Sequence, residues 1–310
     1  MKIAIAGAGA MGSRFGVMLS RAGNQVILID QWAEHVAAIN AKGLTVDTET
    51  GSSQVHLPAY LPAQVTEKPE LVILFTKSMG LPKMLAAIEP ILTPETKIVC
   101  LLNGLGHVPT LEKYVHQENI FMGVTLWTAA LIGPGHVKLV GDGRVEIQNI
   151  VPTEQAAAEE ICRVFSAAGL KAEYSPNVIF SIWRKACVNG TLNTLCTLLD
   201  CNIAQLGALP QTAKLLRQII AEFALIAKHD DQVDLPVEPI AQDVEALYDP
   251  KKAGEHYPSM HQDLIEHHRL TEIDYLNGYV AKKATAAGLA TPICQLLTEL
   301  IHAKEALLVK

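Results

Sequence analysis

Lys185, Asn189 and Asn193 fall at positions i, i+4 and i+8 of the segment Trp183-Arg184-Lys185-Ala186-Cys187-Val188-Asn189-Gly190-Thr191-Leu192-Asn193. On a helix this spacing puts all three on one face. Polar groups in line on an otherwise apolar helix need partners if buried. A polar ligand lying along that face supplies them, and so does a polar seam between domains; spacing alone leaves both open. A second polar cluster follows: Pro258-Ser259-Met260-His261-Gln262-Asp263, then Arg269-Leu270-Thr271-Glu272-Ile273-Asp274-Tyr275-Leu276-Asn277-Gly278. Thr271-Glu272 can start a helix, but the density of polar groups exceeds what a cap requires.

A third set lies at the N-terminus. Gly7-Ala8-Gly9-Ala10-Met11-Gly12 is a GxGxxG loop, placed directly after an apolar run and before a helical pattern. The first glycine permits a tight turn. The second lets a pyrophosphate approach the backbone at the helix N-terminus. The third allows close helix–strand contact. Asp30 lies 18 residues after Gly12, at the end of the second apolar run. A carboxylate there accepts hydrogen bonds from adenosine ribose hydroxyls and repels a 2′-phosphate. No lysine or arginine follows until Lys42. The pattern predicts dinucleotide binding, with NAD preferred and NADP possible. Asp30 is also placed to cap a helix starting near Trp32.

The elements that must position these residues are legible as alternation. Ile3–Ala6, Val26–Ile29, Leu71–Phe75 and Ile98–Leu102 read as buried strands, with helices over Met11–Arg21 and Trp32–Ala41. Such runs between helices describe parallel strands covered on both faces, a doubly wound, mostly parallel α/β sheet of Rossmann type. Two hairpins are expected: Leu44–Asp47 with Gln54–Leu57 around Thr50-Gly51, and His136–Val140 with Arg144–Gln148 around Gly141-Asp142-Gly143. A helix at Ala156–Ala168 and a strand at Lys171–Tyr174 follow. After Pro176 the patterns are helical: Val178–Leu199, Gln211–His229, Pro236–Leu247, Thr271–Ala287 and Pro292–Leu308. The expected domains are therefore 1–176, dinucleotide-binding, and 177–310, all-α, with a ligand cleft between them.

At this point the residues carry a resemblance. The chain resembles the ketopantoate reductase family over essentially its whole length. The matching pieces are Gly7–Gly12, Thr76-Lys77, Leu102-Asn103-Gly104, the Lys185/Asn189/Asn193 ladder, Pro258-Ser259-Met260-x-x-Asp263, and Thr271-Glu272-Ile273-Asp274-Tyr275-x-Asn277-Gly278. The resemblance implies hydride transfer from a nicotinamide to the carbonyl carbon of a 2-oxo acid, giving an (R)-2-hydroxy acid. Lys185 matches the family's general acid and Glu272 the carboxylate that helps organise it. Asn103 matches a residue between nicotinamide and substrate. Asn189, Asn193 and Ser259 match substrate-holding groups, and Lys77 a cofactor-contacting lysine. Members that make pantoate generally use NADPH and carry a basic residue where the second strand ends; Asp30 stands there instead. The expected enzyme is therefore an NAD-preferring D-2-hydroxyacid dehydrogenase acting on branched or aromatic 2-oxo acids. Trp127, Trp183, Leu126 and Met260 are candidates for an apolar wall. NADPH-dependent ketopantoate reduction is the second reading. A dehydrogenase of 3-hydroxy or sugar acids and a non-catalytic NAD(H) sensor are the others, the sensor having no need of Lys185 and Glu272 together.

Composition narrows the classes further. In 310 residues, 49% are hydrophobic and 18% charged, which excludes a disordered chain. A net charge of −7 gives no electrostatic reason to hold nucleic acid. No apolar run approaches the length of a membrane span. Six cysteines without a CxxC pair fit reduced thiols, and the glycine motif follows the first residues at once with no leader, so a cytoplasmic protein is expected. Asp263, His267 and His268 match no zinc spacing, and no metal is expected. A homodimer through the helical domain is expected, with a small-molecule acid as the other partner.

Overall fold

In the computed structural model, described for residues 1–309, the chain divides into two units. The first comprises Met1–Leu102 and His107–Val178; the second comprises Asn103–Gly106 and the residues from Ile179 onward.

The first unit contains strands β1 (Lys2–Ala6), β2 (Gln25–Ile29), β3 (Leu44–Thr48), β4 (Gly51–Val55), β5 (Ala59–Tyr60), β6 (Leu71–Leu74), β7 (Lys97–Cys100), β8 (Ile120–Thr125), β9 (Thr128–Gly133), β10 (His136–Val140), β11 (Val145–Asn149) and β12 (Ala172–Tyr174). Its helices are α1 (Ala10–Arg21), α2 (Ala33–Lys42), α3 (Leu81–Ile88), α4 (Val108–Leu111) and α5 (Gln155–Ala167). An eight-stranded sheet runs β12-β11-β8-β7-β6-β1-β2-β5, parallel except where β11 meets β8. β1 lies between β2 and β6, so the strand order reverses at β1. In open α/β sheets that reversal opens a crevice at the strand ends, and here it is where Gly7 begins.

A second sheet, β4-β3-β10-β9, covers part of this unit. It corrects one expectation. The β3–β4 hairpin forms, but β10 and β11 are not a hairpin. β10 pairs with β9 around Pro134-Gly135 and with β3, while β11 crosses at Gly141–Arg144 to pair with β8. The glycine-rich segment is thus a crossover between sheets. The hairpin partner was concealed in the apolar run Thr125–Ile132, which breaks into β8 and β9. Buried Arg14 of α1 fastens the two layers: its guanidinium donates to the carbonyls of Thr128 (2.5 Å), Val140 (2.9 Å) and Gly141 (3.3 Å), and lies 4.0 Å from the Trp127 ring centroid.

The second unit contains α6 (Val178–Leu199, whose first residue is counted with the first unit), α7 (Ile203–Gly207), α8 (Thr212–Asp231), α9 (Val237–Glu245), α10 (Ser259–His261, continued by a π turn over Gln262–Glu266), α11 (Asn277–Ala287) and α12 (Pro292–Leu308). No strand occurs among its described residues. Ile219, Ile220, Phe223 and Ile226 of α8 bury one face against Trp183, Cys187 and Cys196 of α6, Val280 of α11 and Ile301 of α12. The helix expected over Thr271–Ala287 is broken: Ile273–Tyr275 is a 3-10 turn, Leu276 has φ −118° and ψ −107°, and only Asn277 onward is α. The break leaves the Tyr275 carbonyl available, and the Leu105 N–H donates to it at 2.9 Å. Gly104, at φ +87°, passes so close that a Cβ would stand 2.6 Å from that carbonyl oxygen. This contact joins Asn103–Gly106 to the helical unit, although its sequence neighbours belong to the sheet.

Candidate active site

The glycine loop of the first unit is shaped as its spacing predicts. Gly7 has φ +100°, and a Cβ there would meet the Phe75 carbonyl carbon and Thr76 nitrogen at 2.5 Å. A Cβ at Gly12 would stand 1.8 Å from the Gly7 carbonyl oxygen. Both are therefore requirements of the fold. Gly9 differs: a Cβ there meets nothing within 4 Å. Gly9 is the N-cap of α1, makes no side-chain cap, and the first turn (Ala10, Met11, Gly12) carries no acidic residue. The open approach at Gly9, at the positive end of the α1 helix dipole, is what an anion requires. Beside Gly7, the buried Thr76 hydroxyl has no hydrogen-bond partner among the described residues. These features fit the pyrophosphate of a dinucleotide.

Asp30 stands at the end of β2. One carboxylate oxygen accepts the Ala8 N–H at 2.7 Å and the other the Trp32 N–H at 2.9 Å. The carboxylate therefore ties the glycine loop to the residue that precedes α2; Trp32 is the N-cap of that helix and no side chain caps it, so Asp30 is not the helix cap its position suggested. Lys77, at the C-terminal end of β6, is exposed.

The second unit holds a small pocket lined by Asn103, Asn189, Asn193, Ser259, Met260, Asp263, Glu272 and Leu276. Asn189 and Asn193 come from α6, Ser259 and Met260 from α10, and Glu272 from the segment before the helix break. Asn193 Nδ2 lies 3.4 Å from Ser259 Oγ. Glu272 is 8% exposed and Asp263 4%. Lys185 precedes Asn189 by one turn on the same face. Burial pushes its ammonium down from the ordinary lysine value to about 8, with the Glu272 charge opposing that shift. A lysine at about 8 can give up a proton near neutral pH, which one at 10.5 does poorly.

Five predicted substrate and catalytic residues, Asn103, Asn189, Asn193, Ser259 and Glu272, thus line one pocket, with Lys185 electrostatically coupled to it. Of the four candidates for an apolar wall, only Met260 lines this pocket. Trp183 is 1% exposed in the helical core, its indole N–H donating to Asp231 at 2.7 Å. Trp127 belongs to the core of the first unit and donates to the Leu170 carbonyl at 2.8 Å. Leu126 also lies in the first unit and is exposed. Leu276 joins Met260 in lining the pocket. Sequence reasoning missed Asp263 as a lining residue. It holds an ion pair with Arg269 at 3.0 Å, and the signal was its i+4 spacing from Ser259. Among the described residues no three His, Cys, Asp or Glu are grouped to hold a metal, and no helix is long and apolar enough to cross a membrane.

A glycine-loop α/β unit and a helical unit with a polar pocket, whose Glu272 acts electrostatically on Lys185, accord with an NAD(P)-linked oxidoreductase acting on CH–OH groups. The chain belongs to the ketopantoate reductase family. Its residues 3–152 match the family description "Ketopantoate reductase PanE/ApbA" and residues 177–305 the corresponding C-terminal description. It is 51% identical over 310 residues to a 2-dehydropantoate 2-reductase of Lactococcus lactis subsp. lactis, covering 99% of each chain. It is 47% identical over 308 residues to one of Streptococcus pyogenes, again covering 99% of each. Among solved structures, a D-mandelate dehydrogenase with NADH and anilino(oxo)acetate is similar with a TM-score of 0.96 and 50% identity, covering 99% of each chain.

Proposed function

We propose that this chain interconverts a branched or aromatic 2-oxo acid and its (R)-2-hydroxy acid, with NAD preferred over NADP. The observation that carries this reading is Asp30. Its carboxylate is held against the glycine loop by the Ala8 amide, where negative charge favours ribose hydroxyls and repels a 2′-phosphate. The similarity to an NADH-bound D-mandelate dehydrogenase supports it.

The roles follow from the chemistry of each group. The amides after Gly9 hold the pyrophosphate and Asp30 the adenosine ribose. When bound, the nicotinamide exchanges a hydride with the substrate's C2. Lys185 donates a proton to the carbonyl oxygen as negative charge develops there, and accepts it back in the oxidative direction. Glu272 keeps the Lys185 proton available and its ammonium oriented. Asn103, Asn189, Asn193 and Ser259 supply donors for the substrate carboxylate and oxygen; Lys77 contacts the cofactor from the end of β6.

A second reading, NADPH-dependent reduction of ketopantoate, is favoured by the pocket lining. Six of its eight residues are polar, and Asp263 and Glu272 can accept from a substrate hydroxyl. The names of the relatives at 47–51% identity favour it too. The deciding experiment compares kcat/KM for NADH and NADPH with ketopantoate, 2-oxoisovalerate, 2-oxoisocaproate and phenylglyoxylate. The first reading expects NADH and a hydroxyl-free acid to lead. A ketopantoate value two or more decades above every other acid, with NADPH, overturns it. Assembly as a homodimer and a cytoplasmic location complete the proposal; light scattering of the purified protein tests the former.

A further inference from the structure

The start of α2 carries an aromatic pair used by none of the roles above. Trp32 leaves 38% of its surface exposed, whereas His35, three residues on, is fully buried. Their rings are parallel within 6°, with centroids 5.4 Å apart. Both nitrogens of His35 are committed. The Gly135 N–H donates to Nδ1 at 2.9 Å, so Nε2 carries the proton and donates to the Ala8 carbonyl at 2.8 Å. The Trp32 backbone N–H donates to Asp30, whose other oxygen takes the Ala8 N–H. Trp32 is therefore tied to Ala8 of the glycine loop by two routes, one through the imidazole beneath its ring and one through Asp30. A lone exposed aromatic needs no explanation. This one lies parallel to a buried ring, two residues after the residue assigned to the adenosine ribose.

We propose that Trp32 is a stacking platform for the adenine base of the bound dinucleotide, backed by His35. The inference rests on the reading of Gly7–Gly12 and Asp30 as the dinucleotide site. A base attached to a ribose at Asp30 finds in the neighbouring indole a flat apolar surface, and stacking on an aromatic ring favours binding by roughly one to two decades. Because the indole already lies parallel to the buried His35 ring, little side-chain freedom is lost on binding. The ligand class is thus an adenine nucleotide with a free 2′-hydroxyl.

The test uses ADP-ribose, which lacks the nicotinamide, against the full-length protein and Trp32→Ala and Trp32→Phe variants, with affinity read by calorimetry. Wild type should bind. Trp32→Ala should weaken binding about tenfold and Trp32→Phe by less than about threefold. Trp127 and Trp183 are 8% and 1% exposed, so ADP-ribose should quench an indole emission that disappears in Trp32→Phe. Failure of wild type to bind ADP-ribose overturns the dinucleotide-site reading and this inference with it. Binding by wild type with equal affinity in a folded Trp32→Ala overturns the platform alone. Should Trp32→Ala not fold, the quench decides: its loss in Trp32→Phe supports the platform, and its persistence overturns it.

Discussion

The lowered pKa of Lys185 makes the pH dependence of the two reaction directions a direct test of its role. With a value of about 8, about nine-tenths of the lysine carries its proton at pH 7 and about one-tenth at pH 9. Reduction needs the protonated form, so kcat/KM for the 2-oxo acid should fall roughly tenfold across that interval. Oxidation needs the neutral amine and should rise over the same interval. An ordinary lysine at 10.5 would remain almost fully protonated at pH 9 and leave reduction flat. Glu272 opposes the shift, so Glu272→Gln should move the break to lower pH as well as slow the reaction. Lys185→Ala should abolish the break and lower kcat by roughly 10²–10⁴-fold. The assay is steady-state NADH absorbance from pH 6 to pH 10, with substrate well below KM. Wild-type reduction flat through pH 9.5, or a break that Glu272→Gln moves upward, would refute the assignment. The same lysine bears on stability with a definite sign. Between about 8 and 10.5 the unfolded chain binds more protons at this site than the folded one, so its contribution to stability increases with pH across that window.

Three further outcomes are expected. Gly9→Ala should fold with nearly unchanged Tm, since its Cβ meets nothing, yet lose NADH affinity; Gly12→Ala should lose stability outright, because its Cβ would overlap the Gly7 carbonyl. Asp30→Ser should narrow the preference for NADH over NADPH in kcat/KM, and should also lower Tm because the carboxylate accepts from Ala8 and Trp32. Ser259→Ala and Asn193→Ala should raise KM for the 2-oxo acid and leave NADH affinity, measured by fluorescence, unchanged.

Short-range patterns in the chain determined much of this protein. The βαβ alternation, the GxGxxG loop and its Asp30 companion are local features, because each depends on strand and helix periodicity or on backbone conformation at single positions. Gly7 and Gly12 do what their spacing says, and the Lys185/Asn189/Asn193 row follows directly from helical geometry on α6. What tertiary structure decided was pairing and environment. Nothing local distinguishes a β10–β11 hairpin from a crossover; the choice depends on β8, β9 and β3 competing for those edges. The break at Leu276 runs against a good helical pattern, because the Tyr275 carbonyl is bonded to Leu105, far away in sequence. Trp183 and Met260 are both apolar, both near site residues and both in the helical core, yet only packing gave Met260 a side on the pocket and left Trp183 away from it. The proton affinity of Lys185 is likewise a property of its surroundings. A lysine in the sequence is a base near 10.5; desolvation by the folded chain, moderated by a glutamate from another segment, brings it to about 8.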